Sequence, residues 1–213
     1  RGIIIRGKGG TFCSGADLKW IQNIALNKEL SAKSIGSMSY KFGGLFEKIS
    51  KMSPITVSII EGNSMAGGIG VMCATDLIIS MVDTKFCLTE TKIGLTPAQI
   101  APYVINKVGF QQAKKLMLFA ETFSGEKAYD IGMVDYICHN KKELNTYVNH
   151  VIEQVQFCSP NAIAVTKRLL NANLNTNIGN ASKLFSECAL HEEGREGLSS
   201  FFQKKKPFWK IKE

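Results

Sequence analysis

Several things are missing or scarce in this 213-residue sequence, and each absence removes a class of function. No apolar run approaches the roughly 20 residues that span a bilayer, so no membrane span is expected, and the residues from Arg1 carry no signal-peptide pattern. Six cysteines (Cys13, Cys73, Cys87, Cys138, Cys158 and Cys188) are scattered without a C-x-x-C pair. That argues against a disulfide framework or a zinc site and for reduced thiols in a cytoplasmic or organelle-matrix setting. The three histidines, His139, His150 and His191, lie far apart, with no metal-ligand spacing and no Ser or Cys partner placed for a nucleophilic triad. There is no G-x-x-x-x-G-K-[ST] phosphate loop, and GGIG at 67–70 is not a dinucleotide fingerprint. Internal repeats and low-complexity segments are also lacking. No resident metal or cofactor is expected.

What is present is a chain of ordinary globular composition, 45% hydrophobic and 21% charged, long enough for one sizeable core. Acidic residues are outnumbered, 18 to 26, and the formal net charge of +8 suits polyanions: nucleic acid, an anionic membrane, or a phosphate-rich small molecule. Against nucleic acid as the main partner, the lysines are dispersed and no aromatic stacking platform stands out. The closing KKKPFWK reads as a solvated basic terminus.

The chain is organised around Ile55 to Asp76, ITVSIIEGNSMAGGIGVMCATD. Its β-branched start reads as a buried strand that breaks at Gly62 into a glycine-rich turn, which then opens a helix near Ala66. Gly67, Gly68 and Gly70 carry two readings. They permit tight packing of helix on sheet, or they let a ligand reach unpaired amides at the positive end of a helix, where a developing oxyanion is stabilised.

Elsewhere, Gly2 to Gly7 reads as a buried strand, and KGGTFCSG as a glycine-rich loop leading to Asp17 and a helix through Leu26. From Ser31 to Met52 the apolar residues Ile35, Met38, Phe42, Leu45, Phe46, Ile49 and Met52 recur at helical spacing, which predicts a long amphipathic helix ended before Pro54. Asp76 to Val82 and Lys85 to Leu88 read as strands. Thr96-Pro97-Ala98-Gln99 has capping-box spacing, followed by helices over Pro102–Val108 and Gln111–Ala120 separated by Gly109. Ser124 to Asp130 predicts a short capped helix and Met133 to Cys138 a strand. Three helices close the chain, over Lys142–Phe157, Pro160–Ala172 and Ala181–Lys204. The alternation predicts an α/β core over 1–140 and a helical region over 141–213 whose apolar faces meet another subunit.

Taken together, GGTFCSGADL (Gly9 to Leu18), EGNSMAGGIGVMCATD (Glu61 to Asp76), FCLTETKIGLTP (Phe86 to Pro97), SGEKAYDIGMVDYI (Ser124 to Ile137) and EGLSSFFQKKKPFW (Glu196 to Trp209) resemble the enoyl-CoA hydratase/isomerase (crotonase) family. The resemblance covers the whole chain in order. It implies a spiral of ββα units with a C-terminal helical trimerisation region, a homotrimer or dimer of trimers, and an acyl-CoA substrate. It also implies that an N-terminal part precedes Arg1. In chemistry it implies an oxyanion hole from the backbone amides of Ala16 and Gly67 and an acid/base at Glu90, which without its motif would read as a solvated or ion-paired side chain. Ser14, Leu18 and Lys19 are implied along the CoA path, with Lys19 also readable as an ordinary exposed helix residue. Phe201 and Lys204 are implied near the nucleotide end, supplied from a neighbouring subunit, with trimer packing an equal reading for Phe201. Trp20, Ile21 and Ile24 are candidates for the acyl pocket or for plain core.

One position departs from the pattern. Hydratases of the family often carry a second glutamate where this chain has Gly70. Three activities remain open: hydration of an enoyl-CoA with Glu90 and a water held by other groups, double-bond isomerisation with one base, and acyl-CoA or RNA binding without turnover. The stretch TETKIGLTPAQIAPYV resembles hydratases of branched glutaconyl-type CoA esters, which favours hydration. A second substrate carboxylate requires a cation or other donor that the sequence does not identify.

Overall fold

The computed structural model describes residues 1–26, 31–172 and 178–210. Its strands enter two four-stranded sheets in turn. In the first sheet β1 (Gly2–Arg6), β3 (Ile55–Ile60), β5 (Leu77–Met81) and β8 (Tyr136–Cys138) run parallel in that order. In the second, β2 (Thr11–Cys13), β4 (Asn63–Met65) and β6 (Lys85–Cys87) are parallel and β7 (Phe123–Ser124) closes antiparallel to β6. The first three turns of the chain each lay one strand in each sheet and then turn into helix, the ββα spiral expected, while the last runs β7, a short helix and β8.

The helices of the core are α1 (Leu18–Leu26), α2 (Ser31–Lys51), α3 (Gly67–Cys73), α4 (Ala101–Phe119) and α5 (Gly125–Asp130). From Lys141 onward every described element is helical: α6 (Lys141–Phe157), α7 (Pro160–Asn171), α8 (Ile178–Leu190) and α9 (Glu192–Phe202). Period-two alternation divides the first sheet between two cores. Ile60 and Ile78 face the main core with Phe46, Ile69 and Met72, while Val57, Ile59 and Ile79 face α6.

Several caps form as the sequence predicts. Trp20 donates its amide to Asp17 Oδ1 at 3.1 Å, and Ser124 Oγ accepts from Lys127 N at 3.2 Å. Gly109 interrupts α4 with φ 73 and ψ 163, the expected separation seen as a kink within one helix.

Other expectations are corrected. β1 is largely exposed because it is an edge strand, paired only with β3 among the described strands. Short strands β2 and β4 lie inside what read as glycine-rich loops. Three residues each give too little alternation to register as a pattern. Thr96 caps no helix: α4 starts at Ala101, where Pro102 fits the first turn, and Pro97 instead heads a tight turn whose carbonyl accepts from Ile100 N and Ala101 N. Ala181–Lys204 is two helices, broken at His191, whose extended backbone and Nδ1 acceptor start α9.

Candidate active site

The two glycine-rich crossings and the turn after β6 meet at one cleft of about 160 Å³, lined by Ser14, Ala16 and Leu18 from the first, Ala66 and Gly67 from the second, and Thr89 and Glu90 from the third. Met38, Ser39, Phe42 and Phe46 of α2, with Ile93, Leu95 and the 96–100 turn, complete its wall. The spiral brings the three together because equivalent strand-to-helix turns of successive ββα units stack on the same edge.

The backbone at this junction is unusual. Gly15 has φ +94, which a side chain would strain, and a Cβ there would come within 3.1 Å of the Ala66 Cβ. Ala66 itself has φ 47 and ψ −118, a conformation rare for any residue with a Cβ and typical of sites where local strain serves function. The surrounding structure holds it: Ala66 N donates to Cys87 O at 2.9 Å, and Ala66 O accepts from Ile69 N at 2.9 Å. The Gly67 amide is left at the first helical position, where no intrahelical acceptor exists.

The three glycines of the cluster differ in what surrounds them. Gly67 borders the cleft with nothing closer to a built Cβ than Gly15 Cα at 3.9 Å. Gly68 serves close packing, since a Cβ there would fall 2.8 Å from Cys13 Cβ and 2.9 Å from Ser64 Oγ. Gly70 does too, on the opposite side, where a Cβ would lie 2.7 Å from the Phe46 ring and 3.1 Å from Ile100 Cγ1. Phe46 is only 1% exposed. The position where a second carboxylate was sought is thus filled by an aromatic ring and an isoleucine.

Glu90 opens a 3₁₀ turn, Glu90–Ile93, that Gly94 ends in the left-handed conformation, with Gly94 N and Leu95 N returning to the backbone of the turn. Its side chain is buried, and Oε2 has no hydrogen-bond partner. Desolvation holds its pKa above the ordinary carboxylate value of 4.5, opposed by a weaker hydrogen bond from its own backbone. No other ionisable residue lines the cleft among the described residues.

The structure therefore gathers Ala16, Gly67, Glu90, Ser14, Leu18 and Ile21 at one place. Lys19, Trp20 and Ile24 do not line the cleft; Lys19 is exposed one residue beyond Leu18, on the same helix. Phe201 and Lys204 lie in the C-terminal region, where Phe201 is 77% exposed and packs edge-on against Phe202. Sequence reasoning missed the α2 contribution. The stripe Met38, Phe42, Phe46 and Ile49 is one helical face, and nothing in its spacing reveals that the first three border a cleft while Phe46 and Ile49 also enter the core. Among the described residues no cluster of three potential metal ligands exists, and no helix is long and apolar enough to cross a membrane.

Comparison with known proteins gives the family and the fold. The family described as enoyl-CoA hydratase/isomerase matches residues 1–212. A Thermus thermophilus relative bearing the name enoyl-CoA hydratase is 28% identical over 211 residues, 97% of this chain and 82% of its own length. Among solved structures, AtuE of Pseudomonas aeruginosa superposes with a TM-score of 0.92 at 34% identity, covering 99% of this chain and 82% of that one. An enoyl-CoA hydratase/isomerase from Marinobacter aquaeolei gives 0.90 at 31%, with 99% and 82% covered.

Proposed function

The chain belongs to the enoyl-CoA hydratase/isomerase family, and from that premise we propose that it is an enoyl-CoA hydratase adding water across the 2,3 double bond of an acyl-CoA thioester, with a branched glutaconyl-type ester as the candidate substrate. The observation that carries this reading is Glu90: a buried carboxylate with an unpartnered Oε2, in the same cleft as Ala16 and Gly67.

The thioester carbonyl oxygen sits between the Ala16 and Gly67 amides. Such donors do not titrate and are already oriented, so they stabilise the enolate-like oxygen by about 3 kcal/mol each. Glu90 accepts a proton from water as the water oxygen bonds to C3, and the carboxyl so formed delivers a proton to C2, which regenerates the carboxylate. One carboxyl group suffices for this cycle, as a site whose second position is filled by Phe46 and Ile100 requires. Ser14, Leu18 and Lys19 line the route of CoA, Phe201 and Lys204 reach the nucleotide end in a neighbouring subunit, and the assembly is a homotrimer or dimer of trimers.

Purified protein is expected to bleach the conjugated thioester absorbance of a 2-enoyl-CoA in a panel of straight and branched esters. Glu90→Gln is expected to lower turnover by about 10²–10⁴-fold, the usual worth of a positioned acid/base. Undiminished hydration by that variant would sink the reading. The packed Gly70 position favours a second reading, double-bond isomerisation, because moving a proton between C2 and C4 also needs only one base. Appearance of conjugated product from a 3-enoyl-CoA at a rate above hydration would select it.

A further inference from the structure

The apolar α2 wall of the cleft contains one polar pair. Gln99 Nε2 donates to Ser39 Oγ at 3.3 Å, and both residues border the cleft beside Met38, Phe42 and Phe46. This pair keeps spare donors: the second N–H of the amide and the Ser39 hydroxyl proton. A polar pair facing an apolar ligand loses its water without compensation, so its presence selects for a ligand that hydrogen-bonds to it.

The seat of Gln99 is built into the neighbouring helix. A Cβ at Gly43 would lie 2.3 Å from Gln99 Oε1 and 2.8 Å from Cδ, so the amide rests on bare backbone of α2. Glycine inside a helix costs about 1 kcal/mol relative to alanine, and the amide is what occupies the space so left. Since Glu90 is the one ionisable group among the described cleft residues, recognition there proceeds by hydrogen bonds and not by an ion pair.

We infer that Gln99, held by Ser39 and seated on Gly43, determines substrate specificity by receiving a hydrogen-bond-accepting oxygen carried on the acyl chain. The inference rests on the enoyl-CoA reading above and names the acyl class for that same cleft. The oxygen belongs either to a neutral hydroxyl or carbonyl or to a second carboxylate, and both use the same donors.

The test compares three 2-enoyl-CoA esters of equal chain length ending in a methyl, a hydroxyl or a carboxylate group. Wild-type protein is expected to favour one of the oxygen-bearing esters over the methyl ester by on the order of tenfold in kcat/KM, the worth of one hydrogen bond. The preferred ester identifies the oxygen. Gln99→Leu, close in size, is expected to bring that ratio near one, chiefly through KM. Gly43→Ala, which pushes the amide off its seat, is expected to reduce the same ratio while the melting temperature holds or rises. A ratio unchanged in both variants overturns the inference, as does an active wild type without the preference. A wild type that turns over none of the three esters overturns the hydratase reading, and this inference with it.

Discussion

At the scale of single residues, the burial of Glu90, the proposed acid/base, comes at a cost to stability. Burial disfavours its charged form and raises its pKa. The folded state retains its proton at higher pH than the unfolded chain does. Stability from this group is therefore full below 4.5 and lost as pH rises through the higher folded value. Glu90→Gln is expected to raise the melting temperature at neutral pH, by about 2–4 °C for each kcal/mol relieved, with the difference vanishing in acid. Scanning calorimetry across pH checks this. In the wild type the acid limb of kcat/KM is expected above pH 4.5, since the base must be deprotonated to act. Gly70 is the second decisive residue. Gly70→Ala sets a methyl into the Phe46 ring within a packed core and is expected to cost about 1–3 kcal/mol in urea unfolding, with Gly70→Glu worse and no gain in turnover. Equal stability of Gly70→Ala would mean that Phe46 yields freely. By contrast, burial pushes the Cys73 thiol up to about 12, so it stays protonated and does not act as a nucleophile.

At the scale of elements, a buried lysine is a principal tie between α7 and the core, beside the Asn171 Nδ2 bond to Ser50 O at 2.9 Å. Lys167 Nζ donates to Asp76 Oδ2 at 2.6 Å and to Pro54 O at 2.8 Å, and the same Asp76 oxygen accepts from Thr56 N and Thr56 Oγ1. This knot joins the end of α2, the first residues of β3, the segment after α3, and α7. Lys167 is buried, so its removal leaves the Asp76 carboxylate and the Pro54 carbonyl short of a donor. Lys167→Met is expected to lower unfolding free energy by on the order of 2–3 kcal/mol, somewhat below the value for fully buried pairs because Asp76 is partly exposed. A shift in the urea midpoint measures it, and an unchanged midpoint would show that α7 is held by its packing and the Asn171–Ser50 bond without the lysine. The sequence showed Lys167 only as one more lysine on an amphipathic helix. Its partners are 91 and 113 positions away, beyond the reach of any local pattern.

At the scale of the whole molecule, the C-terminal helices expose Phe185, Phe201, Phe202, Leu190 and Leu198, large apolar side chains that a partner surface would cover. The proposed trimer covers them. Sedimentation is expected to give a mass near three or six times the 23.4 kDa of this chain, and Phe202→Glu to shift it towards one. A monomeric wild type would remove both the trimer and the proposal that a neighbour's Phe201 and Lys204 reach the CoA.

The sequence by itself determined the strand–loop–helix alternation, the capped helix at Ser124 and the break at Gly109, and the resemblance of its motifs named Ala16, Gly67 and Glu90 as the residues to watch. These depend on local chemistry: β-branched runs, capping side chains, glycines at turns, and motifs read in order. Tertiary structure alone decided which glycine does what. Gly67, Gly68 and Gly70 are equivalent in sequence, yet one borders the cleft and two are pressed against Cys13 and Phe46. It also decided that Glu90 is buried with its Oε2 unpartnered, that the middle of α2 from Met38 to Phe46 is a cleft wall, and that Gln99 rests on Gly43. Each of those facts depends on atoms brought together from distant parts of the chain, and a local pattern holds no record of what will be packed against it.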